Sequence, residues 1–511
     1  MNHAQSKKPR DIKQTIGLIL GPVLATLLLF FDLQPGSPEV TRCASVAILM
    51  SVWWITKAIP IPATALLPVV LFPLLGVLPG KAVAGQYFNS VIFLFIGGFI
   101  IALAMQRWDL HKRIALKIIL LIGFSPKRII LGFMAASFFL SMWISNTATT
   151  MMIVPMAMAI ILKMRESLDA KTVNRFAVGL LISIAYAASI GGTSTLIGTP
   201  PNLAFSRIIA ISFPEAPEIS FAQWMLFALP FALVFFFAAW YIIVRIFVGK
   251  KPLFTGDKSI FVDEYRQLGP MKYEERIIFV IFCMTALLWL FRKNIVIGGF
   301  TLPGWSVMFP TPGFIDDGTI AIAMGLLLFI IPARKKTEGD HFGIMNWETA
   351  MKIQWGIVIL FGGGFALAAG FAKSGLAAYL GGQLSGLQQV SPIIIIVVVC
   401  TLLTFLTELT SNTATTEIFL PILGALAVAI GVNPLLLMIP ATLSASCAFM
   451  LPVATPPNAI VFGTGEVNMH DMMRVGIIMN LVGIILITAS MYFVGLHVFG
   501  IDLTAMPNWA K

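Results

Sequence analysis

The hexapeptide SNTATT occurs twice in this chain, at residues 145–150 and at residues 411–416, and each copy interrupts a long apolar stretch. Ser, Asn and Thr are favoured at helix N-termini, where their side chains cap the helix and free backbone amides can bind an anion. Asn side-chain oxygens and loop carbonyls are also hard ligands of the kind that a Na⁺ ion accepts. Two such motifs facing each other could hold a dianion, with one carboxylate at each motif and cations beside it.

A second pair of motifs, GTPPN at 198–202 and ATPPN at 454–458, breaks two other apolar stretches. Consecutive prolines remove helical hydrogen bonds and free backbone carbonyls. A free carbonyl at membrane depth is costly unless a group such as a cation satisfies it. The two halves of the chain therefore predict five pairs of binding residues: Ser141 with Thr407, Ser145 with Ser411, Asn146 with Asn412, Gly198 with Ala454, and Thr199 with Thr455.

These motifs belong to an internal repeat. The offset of 266 residues between the SNTATT copies also relates Pro155 to Pro421 and FIGGF at 95–99 to FGGGF at 361–365. An odd number of predicted spans separates the two copies, so the second copy is expected to be inverted across the membrane. Inverted repeats with interrupted helices in matching positions are typical of secondary transporters that bind their substrate near the membrane midplane.

The composition predicts an all-α polytopic membrane protein. Hydrophobic residues make up 58% of the chain and charged residues 11%, and the mean hydropathy is +0.92. Two regions, 129–163 and 391–430, contain the SNTATT motifs and are predicted to form re-entrant hairpins, because half-helices of about 15 residues would be only ~22 Å long. Eleven spans are predicted elsewhere, at 14–31, 41–57, 60–78, 91–106, 176–208, 222–247, 277–291, 316–332, 355–372, 434–463 and 475–497.

The distribution of charge predicts the orientation. Lys and Arg are concentrated in the segments 107–128, 163–175, 245–276 and 333–352, and the intervening segments hold few of them. By the positive-inside rule, the N-terminus is predicted to be cytoplasmic and the C-terminus outside, in a plasma (bacterial inner) membrane. The net charge of +11 is explained by these clusters, so a nucleic-acid partner is not predicted.

The segment WWITKAIPIPATALLPVVLFPLLGVL at 53–78, together with the SNT and TPPN pairs, resembles the divalent anion–sodium symporter family, whose members carry di- and tricarboxylates. The resemblance covers nearly the whole chain after the basic tail. It implies a homodimer in which a transport domain of hairpins and broken helices moves against a scaffold domain like an elevator. One departure is Lys57, where many relatives are expected to carry Glu.

The resemblance also implies the binding residues and the segments that carry them. At least two Na⁺ ions are expected, one held by Ser141, Ser145, Asn146 and Gly198, and the other by Thr407, Thr410, Asn412 and Ala454. The substrate carboxylates are expected to contact Asn146, Thr147, Thr199, Asn412, Thr413, Thr455 and Pro456. The implied segments are a basic cytoplasmic tail (1–13), scaffold helices (14–128), the first hairpin and broken helix (129–247), a cytoplasmic connection (248–276), the scaffold helices of the second repeat (277–390), and the second hairpin and broken helix (391–511).

The leading hypothesis is Na⁺-coupled symport of C4-dicarboxylates such as succinate, malate and fumarate. A Na⁺-independent exchanger of dicarboxylates or citrate on the same fold is the alternative, and an anion channel is a third. The SNT and TPPN motifs contain no Lys, Arg or His that could balance a bound anion, which favours bound cations and hence the symporter. No HExxH, GxSxG or nucleotide-binding pattern is present, so the chain is not expected to be an enzyme. Glu408 and Glu417 flank the second SNT motif and are either proton or ion sites, or structural residues.

Overall fold

The computed structural model describes residues 11–166, 168–249, 258–297, 300–334, 343–503 and 505–511. Most of the predicted basic tail, at residues 1–10, and residues 250–257 of the predicted cytoplasmic connection lie outside these ranges. The described residues are overwhelmingly helical, as the composition predicts.

The helices are, in chain order, α1 (Ile12–Leu28), α2 (Pro38–Thr56), α3 (Ile61–Thr64), α4 (Leu67–Leu74), α5 (Gly80–Ala84), α6 (Ser90–Arg107), α7 (Leu110–Ile122), α8 (Pro126–Ser141), α9 (Asn146–Arg165), α10 (Ala170–Thr193), α11 (Pro200–Ser212), α12 (Phe221–Ile243), α13 (Ser259–Gln267), α14 (Tyr273–Leu290), α15 (Asp317–Ile330), α16 (Trp347–Ala350), α17 (Trp355–Ser374), α18 (Leu376–Gln383), α19 (Pro392–Thr407), α20 (Asn412–Ala429), α21 (Leu435–Ala445), α22 (Pro456–Gly463), α23 (Met469–Ser490) and α24 (Leu496–Val498). Short π-helical segments, Val244–Val248 and Met491–Gly495, extend α12 and α23, and 3₁₀ turns occupy Trp305–Met308, Pro312–Phe314, Ser385–Gln389 and Asn508–Ala510. A small antiparallel hairpin joins β1 (Ile295–Ile297) to β2 (Phe300–Leu302), with Val296 opposite Thr301.

Within the described residues, seven helices are long and apolar enough to cross a membrane, among them α6, α10, α12 (with its π-helical extension) and α17. Several other predicted spans are formed by shorter apolar helices, such as α1 and α15, or by two half-helices in series. The all-α polytopic fold is therefore confirmed.

Both SNTATT motifs lie where a helix pair reverses. The chain turns between α8 and α9 and again between α19 and α20, and each motif begins the returning helix. One detail of the prediction is wrong: α9 has 20 residues rather than about 15, and it is long enough to cross a membrane by length and composition. Helix α9 is longer because it includes the polar residues of the motif and continues to the basic residue Arg165. Re-entrance of the two hairpins stays a prediction.

The broken helices are confirmed, and the prolines of the TPPN motifs begin the second halves. Pro200 and Pro456 each occupy the first position of a helix, where a missing N–H breaks no helical hydrogen bond. The unwound segments between the halves are residues 194–199 and 446–455. Each TPPN motif therefore marks the point at which a half-helix begins again after an interruption.

The two repeats are interleaved where these elements pack. Helix α9 of the first hairpin packs against α22, and α20 of the second hairpin packs against α11. Helix α17, which contains the FGGGF motif, contacts both α11 and α20. Each hairpin is therefore held by the broken helix of the other repeat as well as by its own, α10 or α21.

Close packing of the first hairpin depends on Gly191 of α10. A Cβ atom at this position would collide with the backbone carbonyl of Phe138 on α8. We expect Gly191→Ala to lower the free energy of unfolding by about 1–3 kcal/mol, because neither backbone can yield without moving a helix. Thermal unfolding of the purified protein in detergent measures this effect. Gly463→Ala in α22 is the matched control, since a Cβ atom there meets open space; equal midpoints for the two variants would contradict the packing argument.

Candidate functional site

The first hairpin and the first broken helix form a cluster of oxygen atoms around Asn146. The side-chain amide of Asn146 lies 2.5 Å from Ser141 Oγ, 3.2 Å from the carbonyl oxygen of Ala188 and 3.3 Å from that of Gly198. Ser141 is in the last turn of α8, Asn146 is the first residue of α9, and Gly198 lies in the unwound segment. The structure therefore brings together Ser141, Asn146 and Gly198, three of the four residues that the resemblance implies as ligands of one cation; the fourth, Ser145, caps α9 instead.

The amide of Asn146 can meet these oxygens in two ways. With its nitrogen toward the cluster, it donates hydrogen bonds to both carbonyls. With its oxygen toward the cluster, Ser141 donates to Oδ1 and three oxygens then face one another, which is unfavourable unless a cation lies between them. The hydroxyl, side-chain and carbonyl oxygens of this cluster are hard ligands of the kind that a Na⁺ ion accepts.

The second hairpin forms the matching cluster around Asn412. Thr407 Oγ1 is 2.8 Å from Asn412 Oδ1 and 3.0 Å from the carbonyl oxygen of Ala445, at the end of α21. Thr410 Oγ1 lies 2.6 Å from Thr415 Oγ1. As in the first cluster, a hydroxyl one turn before the motif meets the Asn side chain; here the hydroxyl itself also meets a carbonyl of the adjacent broken helix. Ala454 lies in the unwound segment before α22 and is buried.

The predicted cation ligands are mostly buried, whereas the predicted substrate contacts range from buried to exposed. Most of the predicted cation ligands are buried, namely Ser141, Gly198, Thr407, Thr410 and Ala454. Asn146, Thr147 and Asn412 are half-buried and Pro456 is exposed, whereas Thr199, Thr413 and Thr455 are buried. The two Asn residues lie at the boundary between these groups, so that one side chain can contact both an ion and a substrate.

Four half-helices begin at these motifs, each with a hydroxyl residue at its N-cap: Ser145, Thr199, Ser411 and Thr455. Ser145 accepts a hydrogen bond from the amide of Ala148, and Thr455 accepts one from Asn458. Helices α9 and α20 start with free backbone amides, which favour a bound anion. Helices α11 and α22 start with two prolines, so their first two residues offer no amide and the Thr hydroxyls are the donors there.

A hollow of about 310 Å³ reaches the first turn of α9, next to Thr147. Its lining includes Gln106 and His111 near α6 and α7, and Ala148 and Thr149 of the SNTATT motif. Among the described residues there is no group of three or more His, Cys, Asp or Glu side chains that could hold a transition metal. The polar atoms of the site are therefore hydroxyls, amides and backbone carbonyls.

Glu408, to which the sequence gives no definite role, holds the second unwound segment in place. The Glu408 carboxylate accepts hydrogen bonds from the backbone amides of Phe449, Met450 and Leu451 at 2.8, 2.9 and 3.0 Å, and from Asn480 Nδ2 at 2.8 Å. Its side chain is 3% exposed. The signal in the sequence was an acidic residue directly after Thr407 in an apolar span, but its partners are distant in the chain.

The Asn residues that end both TPPN motifs have the same structural role. Asn202 Nδ2 donates to the carbonyls of Gly192, Thr193 and Thr195, and Asn458 Nδ2 donates to those of Ala448 and Leu451. These bonds satisfy carbonyls that the helix breaks leave free. The TPPN motif therefore interrupts the helix and also donates hydrogen bonds to some of the carbonyls that the interruption leaves free. Because the motif occurs twice in the sequence, this second role of its Asn residue could have been predicted.

Comparison with known proteins identifies the class of this chain. Residues 19–499 match the model of the family described as "Sodium:sulfate symporter transmembrane region". The chain belongs to this family, which is the divalent anion–sodium symporter family that the motifs resemble, and it is a membrane transporter rather than an enzyme.

Individual relatives are also similar over almost their full length. Proteins named "Sodium-dependent dicarboxylate transporter SdcS" from Staphylococcus aureus strains bovine RF122 / ET3-1 and NCTC 8325 / PS 47 are 46% identical over 506 residues, covering 98% of this chain and 95% of each relative. Among solved structures, the YdaH transporter of Alcanivorax borkumensis matches 88% of this chain and 98% of its own with a TM-score of 0.56 at 12% identity. MtrF of Neisseria gonorrhoeae matches 93% of this chain and 98% of its own with a TM-score of 0.54 at 13% identity. At such identity the two structures support the fold alone.

Proposed function

We propose that this protein is a secondary active transporter that couples the entry of Na⁺ to the uptake of C4-dicarboxylates such as succinate, malate and fumarate. The observation that carries the proposal is the pair of matching clusters at Asn146 and Asn412, each built from a hydroxyl, an amide and a backbone carbonyl. The names of the Staphylococcus aureus relatives support both the ion and the substrate class.

Charge balance explains why the ions and the substrate travel together. The site residues are uncharged, so a dianion bound there alone would carry two uncompensated charges into a low-dielectric region. Two Na⁺ ions, one at each cluster, neutralise it. The ions bind first, because a cation held by the oxygens of each cluster orders the motif that then meets a carboxylate of the substrate.

The movement that follows is an elevator motion of the transport domain, the two hairpins with their broken helices, against the scaffold helices of a homodimer. Interleaving of the repeats supports this division, because α9 packs on α22 and α20 on α11, so the hairpins and broken helices can move as one body. In the proposed orientation the N-terminus is cytoplasmic, the C-terminus is outside, and the first hairpin enters from the cytoplasm. The homodimer and the number of Na⁺ ions belong to this proposal.

The test is uptake of radiolabelled succinate into proteoliposomes under an inward Na⁺ gradient, compared with an equal K⁺ gradient. We expect accumulation only with Na⁺, and a sigmoidal Na⁺ dependence with a Hill coefficient above one, because two linked ion sites must fill before the dianion binds. Liposomes without protein are the control. Uptake that is indifferent to Na⁺ but requires internal dicarboxylate would instead establish an exchanger and contradict the coupling.

A further inference from the structure

Glu417 is a buried acid that the dicarboxylate site does not use. It lies in α20, one helical turn after Thr413, and its exposure is 0%. Its carboxyl group is directed at Gly364 of α17, where a Cβ atom would collide with the Glu417 side chain. The absence of a side chain at Gly364, the last glycine of FGGGF, therefore allows this carboxyl group to contact the surface of α17.

The first repeat has no such arrangement. The residue related to Glu417 by the 266-residue offset is Met151, which is 60% exposed. The residue related to Gly364 is Gly98, and a Cβ atom there would make an ordinary contact with Ile197. Because symmetry does not require an acid at this place, the role of Glu417 is separate from that of the paired motifs.

Neither carboxyl oxygen of Glu417 receives a hydrogen bond within the described part of the chain, and no described basic side chain forms an ion pair with it. The titratable group that faces it is the phenol of Tyr87, whose hydroxyl donates to the carbonyl of Ala65 at 2.5 Å. The other titratable or charged side chains on the described elements packed against α20 do not form an ion pair or a hydrogen bond with Glu417. These side chains are Lys373 (α17), Arg207 (α11), Tyr379 (α18), Glu39, Arg42 and Cys43 (α2), and Cys400 (α19). Arg207 bonds instead to Gln86, and Arg42 to the carbonyl of Leu75.

An ionised carboxylate in this environment would be very unfavourable. Removing a carboxylate from water carries a large desolvation penalty even after the protein relaxes, and no donor among the described residues compensates it here. Glu408 shows the contrast, because its equally buried carboxylate receives four hydrogen bonds. A proton removes the charge of Glu417 at once, whereas a Na⁺ ion would require several additional oxygen ligands.

We propose that Glu417 is a proton-binding site at the contact between the second hairpin and α17, and that its carboxyl group is neutral when α20 packs against Gly364. The inference goes beyond the coupled transport of Na⁺ and dicarboxylate, since it concerns a different ion and a residue outside both clusters. Packing of the hairpin on α17 and binding of the proton stabilise each other, because ionisation would place an uncompensated charge in this contact.

The experiment is infrared spectroscopy of the purified protein at pH 8, where exposed carboxyl groups, with a pKa of about 4, are ionised. The C=O stretching band of a protonated carboxylic acid is separate from the carboxylate bands. We expect wild type to show such a band and Glu417→Gln to lose it. Glu408→Gln is the matched control and should retain the band, because the four hydrogen bonds that the buried Glu408 carboxylate accepts stabilise its ionised form.

Three results would overturn the proposal. They are the absence of a protonated-acid band in wild type, its persistence in Glu417→Gln, and its disappearance when Na⁺ is added, which would mean that Na⁺ displaces the proton. If Glu417→Gln does not fold, Glu417→Met, which reproduces the residue of the first repeat, takes its place. None of these measurements involves uptake, so they are independent of the Na⁺ coupling experiment.

Discussion

Replacement of Asn146 or Asn412 by Ala is expected to reduce Na⁺-driven succinate uptake by about 100-fold or more. Each Asn is shared between a predicted cation and a predicted carboxylate contact, and a hydrogen bond to a charged group contributes about 1.5–3 kcal/mol. Loss of both contacts therefore removes about 3 kcal/mol or more, and each 1.4 kcal/mol corresponds to a tenfold change. Initial rates of uptake into proteoliposomes at saturating external Na⁺ measure the effect.

The folded protein should survive these substitutions, because both Asn side chains are half-buried and lie at helix starts. Size-exclusion elution and the thermal midpoint should match wild type within a few degrees. Thr401→Ala on α19 is the control, since this exposed hydroxyl bonds only to Val397 within its own helix. Normal uptake by either Asn variant would refute the assignment of that cluster.

Replacement of Glu408 by Ala should both destabilise the protein and weaken Na⁺ binding. The change leaves the amides of residues 449–451 without their acceptor, and removal of one partner from a buried charged network costs about 3–5 kcal/mol. These residues lie in the unwound segment that continues to Ala454 and Thr455, so the second cluster loses its geometry. We expect a lower thermal midpoint and a raised Na⁺ concentration for half-maximal uptake.

Comparison with Glu408→Gln separates positioning from mere stability. Glutamine keeps one acceptor oxygen and nearly the same volume, so it should recover part of the thermal midpoint but not the full Na⁺ affinity. Asp263→Ala is the control, because Asp263 is exposed and its pair with Arg266, at 3.8 Å, should contribute less than 1 kcal/mol. Unchanged Na⁺ dependence in Glu408→Ala would show that the 449–451 segment does not position the second ion site.

Elements with local signals could be predicted from the sequence. Apolar length predicts spans, Ser and Asn cap helices, and consecutive prolines break a helix, so the sequence indicated the starts of α9 and α20 and the breaks before α11 and α22. The length of α9 was predicted wrongly because it was judged from apolar residues alone. The helix also includes polar residues of the SNTATT motif, whose side chains form hydrogen bonds with neighbouring groups.

The repeat, the transporter class and the pairing of Ser141 with Thr407 and Asn146 with Asn412 were determined by the sequence itself, because identical motifs at one offset require equivalent environments. Only the tertiary structure revealed that Glu408 holds three amides more than 40 residues away, and that neither carboxyl oxygen of Glu417 has a hydrogen-bond partner in the described segments. Both are glutamates on either side of one motif in an apolar span, and their local sequence does not distinguish them. The donors to Glu408 come from the unwound segment before α22 and from Asn480 of α23, and only folding brings these parts of the chain next to it.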